Sequence, residues 1–278
     1  MAAFGKALVL GGGGVTGIAW ETGLLLGLAE RSVDLLGAGL LVGTSAGSVV
    51  AAQVLSGVPL AELFAAQLAP PTSEIPARLG PAGIARFAMA GLWPGDRARG
   101  RAWLGRQALR APTVPEADRR AVIAHRIGRD EWPETPLRIV AVEAESGAVE
   151  VFTADSGVSL IDAVGASCAV PMVWPPVTIG GRRYVDGGAR STANADLAEG
   201  AERIVVIAPI GAGVRRADRP AAQLKRLGVP GVVITPSPQA RAAIGRNVLD
   251  PAFRAPAAEA GRAQAAAEAE KVRAVWDA

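Results

Sequence analysis

One histidine, one cysteine and one tyrosine are all that 278 residues hold of three versatile side chains, and aromatic residues make up 4% of the chain. The single cysteine, Cys168, excludes an intrachain disulfide, and its apolar neighbours read as packing for a small hydrophobe. The single histidine, His125, leaves a serine–histidine–acid triad only one candidate base. His125 lies in a charged helical stretch, 115–129, among Arg119, Arg120, Arg126 and Arg129, which reads as a solvated helix surface. Cations around an imidazole also disfavour charging it. Net charge is low as well: 29 basic against 26 acidic residues leave +3, too little to imply nucleic acid. No apolar run approaches the roughly 18 residues of a membrane-spanning helix. The first residues lack a basic segment followed by an apolar core and a cleavage site. The expected location is therefore the cytoplasm, with peripheral contact at the inner membrane face as an option. Arginines cluster in 97–129, at Arg182-Arg183 and in 215–226. They read as solvated faces, with attraction to an anionic lipid surface as the functional alternative.

Glycine is abundant, at 34 residues, and hydrophobic residues make up 50% of the chain, enough for one large core. Three glycine-bearing motifs stand out. Lys6 to Leu10 reads as a buried strand that runs into Gly11-Gly12-Gly13-Gly14-Val15-Thr16-Gly17, followed by a helical pattern. Such a loop is a nest of backbone N–H groups suited to a phosphate or to the oxyanion of an acyl intermediate. A second apolar run, 38–42, leads into Gly43-Thr44-Ser45-Ala46-Gly47 and a small-residue helix. That is the G-x-S-x-G strand–turn–helix pattern of a nucleophile elbow, with a helix N-terminus behind the serine. The third motif is Asp186-Gly187-Gly188, after a short hairpin with a Gly180-Gly181 turn. By itself an aspartate before two glycines is an ordinary turn.

Gly12, Gly14 and Gly17 also satisfy G-x-G-x-x-G, so nucleotide binding without turnover is the competing reading. A dinucleotide site places an acid at the end of the second strand. Glu30 and Asp34 precede that strand, and Ser45 follows it.

Gly12-Gly13-Gly14-Val15-Thr16-Gly17, Gly43-Thr44-Ser45-Ala46-Gly47 and Asp186-Gly187-Gly188, in this order and spacing, resemble the patatin-like phospholipases. The resemblance spans about 5–210, and 166–171 looks like the family's approach to its aspartate. It implies a three-layer α/β/α fold with a mostly parallel central sheet. It implies Ser45 as nucleophile, Asp186 as base, an oxyanion hole at Gly12, Gly13 and Gly14, and support from Gly17, Gly43, Gly47, Gly187 and Gly188. The implied substrate is a lipid or ester, cleaved through an acyl-enzyme with no metal or cofactor. The departure is Thr16, where the family usually carries Lys or Arg. Losing that cation unsettles a phospholipid preference, with Arg182, Arg183 and Arg190 as candidate replacements. A catalytically silent member is a further alternative.

One domain, 5–278, is expected, with a cap-like helical insertion at about 60–135 and an Ala-rich helical tail at 238–278. Prolines at 70, 71, 76, 81, 94, 112 and 115 break the insertion. Within it, 84–93 reads as a core helix, with an interfacial lid as the functional alternative. Strands are expected at 137–144, 149–153, 177–179, 182–185, 203–208 and 232–235, and helices at 158–167 and 192–199. Val173-Trp174-Pro175-Pro176 is a candidate wall of an acyl pocket.

Overall fold

The computed structural model describes residues 4–70 and 74–278; the expected break at Pro71 lies outside them. The strands are β1 (Phe4–Leu10), β2 (Leu40–Gly43), β3 (Leu137–Glu143), β4 (Val149–Phe152), β5 (Val177–Ile179), β6 (Arg182–Asp186), β7 (Ala201–Ile207) and β8 (Gly231–Ile234). The helices are α1 (Gly14–Ala29), α2 (Ala46–Val54), α3 (Leu60–Leu68), α4 (Pro81–Gly91), α5 (Arg97–Arg110), α6 (Glu116–Ile127), α7 (Leu160–Ser167), α8 (Pro220–Leu227), α9 (Pro238–Ile244) and α10 (Arg254–Trp276).

The strands form one sheet in the order β5-β6-β3-β2-β1-β7-β8, with β4 also on β3. The run β3-β2-β1-β7-β8 is parallel, and β4, β6 and β5 add an antiparallel end. The parallel strands are apolar on both faces because helices cover both. Leu8 and Leu10 of β1 enter one core with α1, α2, α7 and α10, whereas Ala7 and Val9 enter another with α8 and the turn 195–198. The fold is thus the expected layered α/β architecture with a mostly parallel sheet.

Three local outcomes differ from the sequence reading. Only a 3-10 turn, Ala195–Ala198, forms in the expected helix 192–199. The buried Asn194 side chain there donates to the nearby Ser191 and Gly187 carbonyls and to the distant Thr44 hydroxyl, competing with helical pairing. Helix α8, starting with Pro220 at its first turn, arises within a segment read only as a cationic cluster. The tail is broken between Ile244 and Arg254, where Gly245 adopts φ 74°. That break carries Val248 and Leu249 back over the glycine-rich loop.

Candidate active site

β2 ends at Gly43, and α2 begins at Ala46 with Ser45 as its N-cap. Ser45 has φ 53° and ψ −117°, a conformation that costs an L-residue about 1–3 kcal/mol. The surroundings impose it. The Ser45 N–H donates to Ser167 Oγ at 2.9 Å, while its carbonyl accepts from Ser48 Oγ at 2.7 Å and Cys168 Sγ at 3.2 Å. Gly47 allows α2 to cross β1 here, since a Cβ would collide with the Leu10 carbonyl.

The neighbouring strand, β1, ends at the glycine loop. Gly12 N–H donates to Thr192 O at 2.7 Å, so Gly12 walls the site while its amide is already committed. The N–H groups of Gly13 and Gly14, at the start of α1, have no acceptor among the described residues. Gly14 has φ 61°, and a Cβ there would strike the Val248 carbonyl. Beneath the loop, Gly11 N–H donates to Glu21 Oε1 at 3.0 Å. Glu21 is fully buried, and burial drives its pKa well above the usual carboxylate range. No sequence signal marked this residue.

Asp186 ends β6 and is 4% exposed. Its Oδ1 accepts the Gly188 N–H at 2.7 Å. Burial raises its pKa to about 6, against the opposing pull of polar contact from the Ser45 hydroxyl, the Gly188 amide and the Arg119 charge. Asn194, absent from the sequence reading, ties the two loops together. Its Nδ2 donates to Thr44 Oγ1 at 3.0 Å and to Gly187 O at 3.3 Å, one residue from each key side chain. An asparagine in a loop carries no sequence mark of such a bridge.

Ser45, Asp186, Gly12, Gly13 and Gly14 line one cavity of about 210 Å³, whose remaining wall includes Leu79, Phe87, Val170, Ile210 and Leu249. Trp174 is instead packed in an adjoining recess with Arg119, which it stacks against at 4.0 Å. The helix surface read at 115–129 is solvated at Arg120 and His125, but Arg119 is buried at 5% exposure. Arg126 is also inside, paired with Glu74. Exposed His125 lies on another cavity that Ser45 and Asp186 do not line. Thr16, in place of a cation, is buried and holds the tail: its N–H and Oγ1 both donate to Val248 O, at 3.2 and 3.3 Å. None of the proposed replacement cations lines the Ser45 cavity. Arg190 pairs with Asp196, Arg183 donates to Pro176 O, and Arg182 is exposed at the start of β6. Burial raises the Cys168 thiol to about 11, which keeps it neutral. Helix α4 is no core helix: Ile84 is 57% and Met89 50% exposed, while Phe87 faces the cavity.

A mostly parallel sheet presents a glycine loop and a strained serine at the ends of adjacent strands, which defines the class as a layered α/β protein with a serine-centred site. The chain belongs to the patatin-like phospholipase family, whose model matches residues 8–199. Among solved structures it is similar to VipD from Legionella pneumophila, with 14% identity and TM-score 0.49, covering 98% of this chain and 67% of that one. It is also similar to the type III effector protein ExoU, with 17% identity and TM-score 0.41, covering 96% of this chain. The chain spans 53% of the ExoU chain. No curated protein matches it.

Proposed function

We propose that the chain cleaves lipid acyl esters through a Ser45–Asp186 dyad. The observation that carries this reading is the buried carboxyl of Asp186 facing a serine in a strained turn, on the wall of a largely apolar cavity. A solvated aspartate, with a pKa near 3.9, is a weak base toward a hydroxyl. Burial raises Asp186 to about 6, which increases its proton affinity by about two orders of magnitude and leaves it ionised at neutral pH. Ser45 Oγ attacks the ester carbonyl carbon and its proton passes to Asp186. The Gly13 and Gly14 amides stabilise the oxyanion, each such donor being worth about 3–4 kcal/mol. Collapse expels the alcohol, which takes the proton from Asp186 and leaves an acyl-serine. Water then attacks the acyl carbon, giving its proton to Asp186. Release of the acid returns that proton to Ser45.

Leu79, Phe87, Ile210 and Leu249 form an apolar wall suited to the acyl chain. On α4 and just after it, Ile84, Met89 and Leu92 are exposed, which supports peripheral contact with a lipid surface.

A fluorophosphonate probe read by mass spectrometry tests the nucleophile. Labelling at Ser45, lost in Ser45→Ala and strongly reduced in Asp186→Asn, is expected, together with hydrolysis of p-nitrophenyl esters of graded length. Absence of labelling with thermal stabilisation by dinucleotides would replace this reading with nucleotide binding at the glycine loop.

A further inference from the structure

A second cavity, of about 260 Å³, lies among α1, α2, α3, α6 and the start of α10. It shares no lining residue with the cavity that holds Ser45 and Asp186. Between the two is the recess bordered by Ser45, Arg119 and Arg126, which measures about 20 Å³. One water needs about 10–15 Å³, so the recess has room for no more than that. An acyl chain seated at Ser45 therefore does not extend into the larger cavity, and what fills that cavity is independent of the dyad.

The polar part of its wall is built around an ion pair, Arg126 with Glu74, whose side chains are 9% and 8% exposed. The pair uses Arg126 Nε and Nη2. Arg254 spends its Nε on Gln67 Oε1 and its Nη2 on Ala66 O. Arg126 Nη1, Arg254 Nη1 and Gln67 Nε2 are left without an acceptor among the described residues. Gln53 Oε1 is unpaired too, but it is sealed from solvent, its amide being fixed by a bond from Nε2 to Arg126 O at 2.7 Å. The groups open to a ligand are thus N–H donors. Two guanidiniums also face one carboxylate, which leaves one positive charge uncompensated. Burial lowers the Arg254 pKa, and the Arg126 charge adds to this against the pull of Glu74, so an anion here relieves a repulsion. The rest of the wall is apolar and includes Val15, Ile18 and Ala69.

We infer that this cavity is a second ligand site, for a small monocarboxylate. The carboxylate rests on Arg126, Arg254 and Gln67, and a short apolar body lies against Val15 and Ile18. A carboxylate only accepts hydrogen bonds, which matches a wall of free donors. Its single charge offsets the one uncompensated cation, whereas a phosphate dianion overshoots it. A bare inorganic ion would leave the apolar wall uncovered. Water occupies about 30 Å³ per molecule in the liquid, so the cavity takes a ligand of about eight non-hydrogen atoms. The site goes beyond ester cleavage and does not require it.

Titration calorimetry of the full chain with sodium hexanoate at pH 8 tests the site. Hexanoate is not an ester, so the result stands apart from any turnover at Ser45. Binding with a Kd of about 1 mM or tighter is expected. It should weaken at least about tenfold in Arg254→Gln. Ala66 is exposed on the same wall, and its carbonyl accepts from Arg254. Ala66→Glu should therefore weaken binding at least about fivefold by placing a carboxylate beside the site, and it serves if Arg254→Gln does not fold. Phe87→Asp, which puts the same charge into the Ser45 cavity, should leave the affinity unchanged. No binding, or equal affinity in wild type and Ala66→Glu, overturns the inference. A loss in Phe87→Asp without one in Ala66→Glu places the acid beside Ser45 and overturns it as well. Equally tight binding of hexanamide would remove the need for charge, and equally tight binding of inorganic phosphate the need for an apolar body. Either result overturns the carboxylate class.

Discussion

At the scale of single residues, the site concentrates groups that are unfavourable for folding. Asp186 has a folded pKa of about 6 against an ordinary 3.8. Its contribution to stability is therefore fully present below about pH 4 and is lost as pH rises through about 6. At pH 8 the ionised carboxylate costs up to about 3 kcal/mol, at 1.36 kcal/mol per unit. Asp186→Asn should thus melt higher than wild type at pH 8, with little difference at pH 4, while ester turnover falls at least about 10³-fold. The acid limb of kcat/KM should lie near pH 6; a limb near 4 would mean that the base is a solvated carboxylate. Glu21 follows the same sign, because burial raises it too. Glu21→Gln should leave activity intact and stabilise the fold progressively as pH rises, as thermal melts would show. Ser45 and Asp186 were legible in the sequence because each sits in a short glycine-bearing motif. Asn194 and Arg119 were not. One acts through a bond to Thr44, far away in sequence, and the other sits next to the exposed Arg120 on its helix.

At the scale of elements, the C-terminal ends of β1 and β2 were readable because their apolar runs end abruptly in glycine. β1 and β2 terminate at the two loops that build the site. The tight crossing of β1 by α2 depends on Gly47, where a Cβ would overlap the Leu10 carbonyl. Gly47→Ala should cost at least about 3 kcal/mol in denaturant unfolding, the range of severe backbone clashes. Helix α4 escaped the period argument. Its apolar residues point both to the cavity and to solvent, so a uniformly apolar stretch looked like core. Replacing Ile84 and Leu92 by Asp should weaken sedimentation with anionic liposomes several-fold and spare hydrolysis of short soluble esters. Unchanged sedimentation would assign α4 to covering the cavity alone. No helix among the described residues is long and apolar enough to cross a membrane.

At the scale of the whole molecule, the family match stops at residue 199, yet the sheet and its cover continue beyond it. β7 pairs with β1 along most of its length, and α10 packs on α1, with Trp20 Nε1 donating to Gln264 at 3.3 Å. Truncation after residue 200 should therefore leave Trp20 and Leu24 uncovered and give an aggregating chain without a cooperative melt, as circular dichroism would show. The sequence by itself determined the alternating strand–helix order, the three motifs, the scarcity of histidine and the layered sheet. All of these are written in local periodicity and in residues that few other turns can use. Only the tertiary structure decided that the tail returns over the glycine loop, that Asn194 bridges two site loops, and that Arg119 is buried beside Ser45. Each depends on contacts between segments distant in the chain, and a linear pattern carries no record of which surfaces meet.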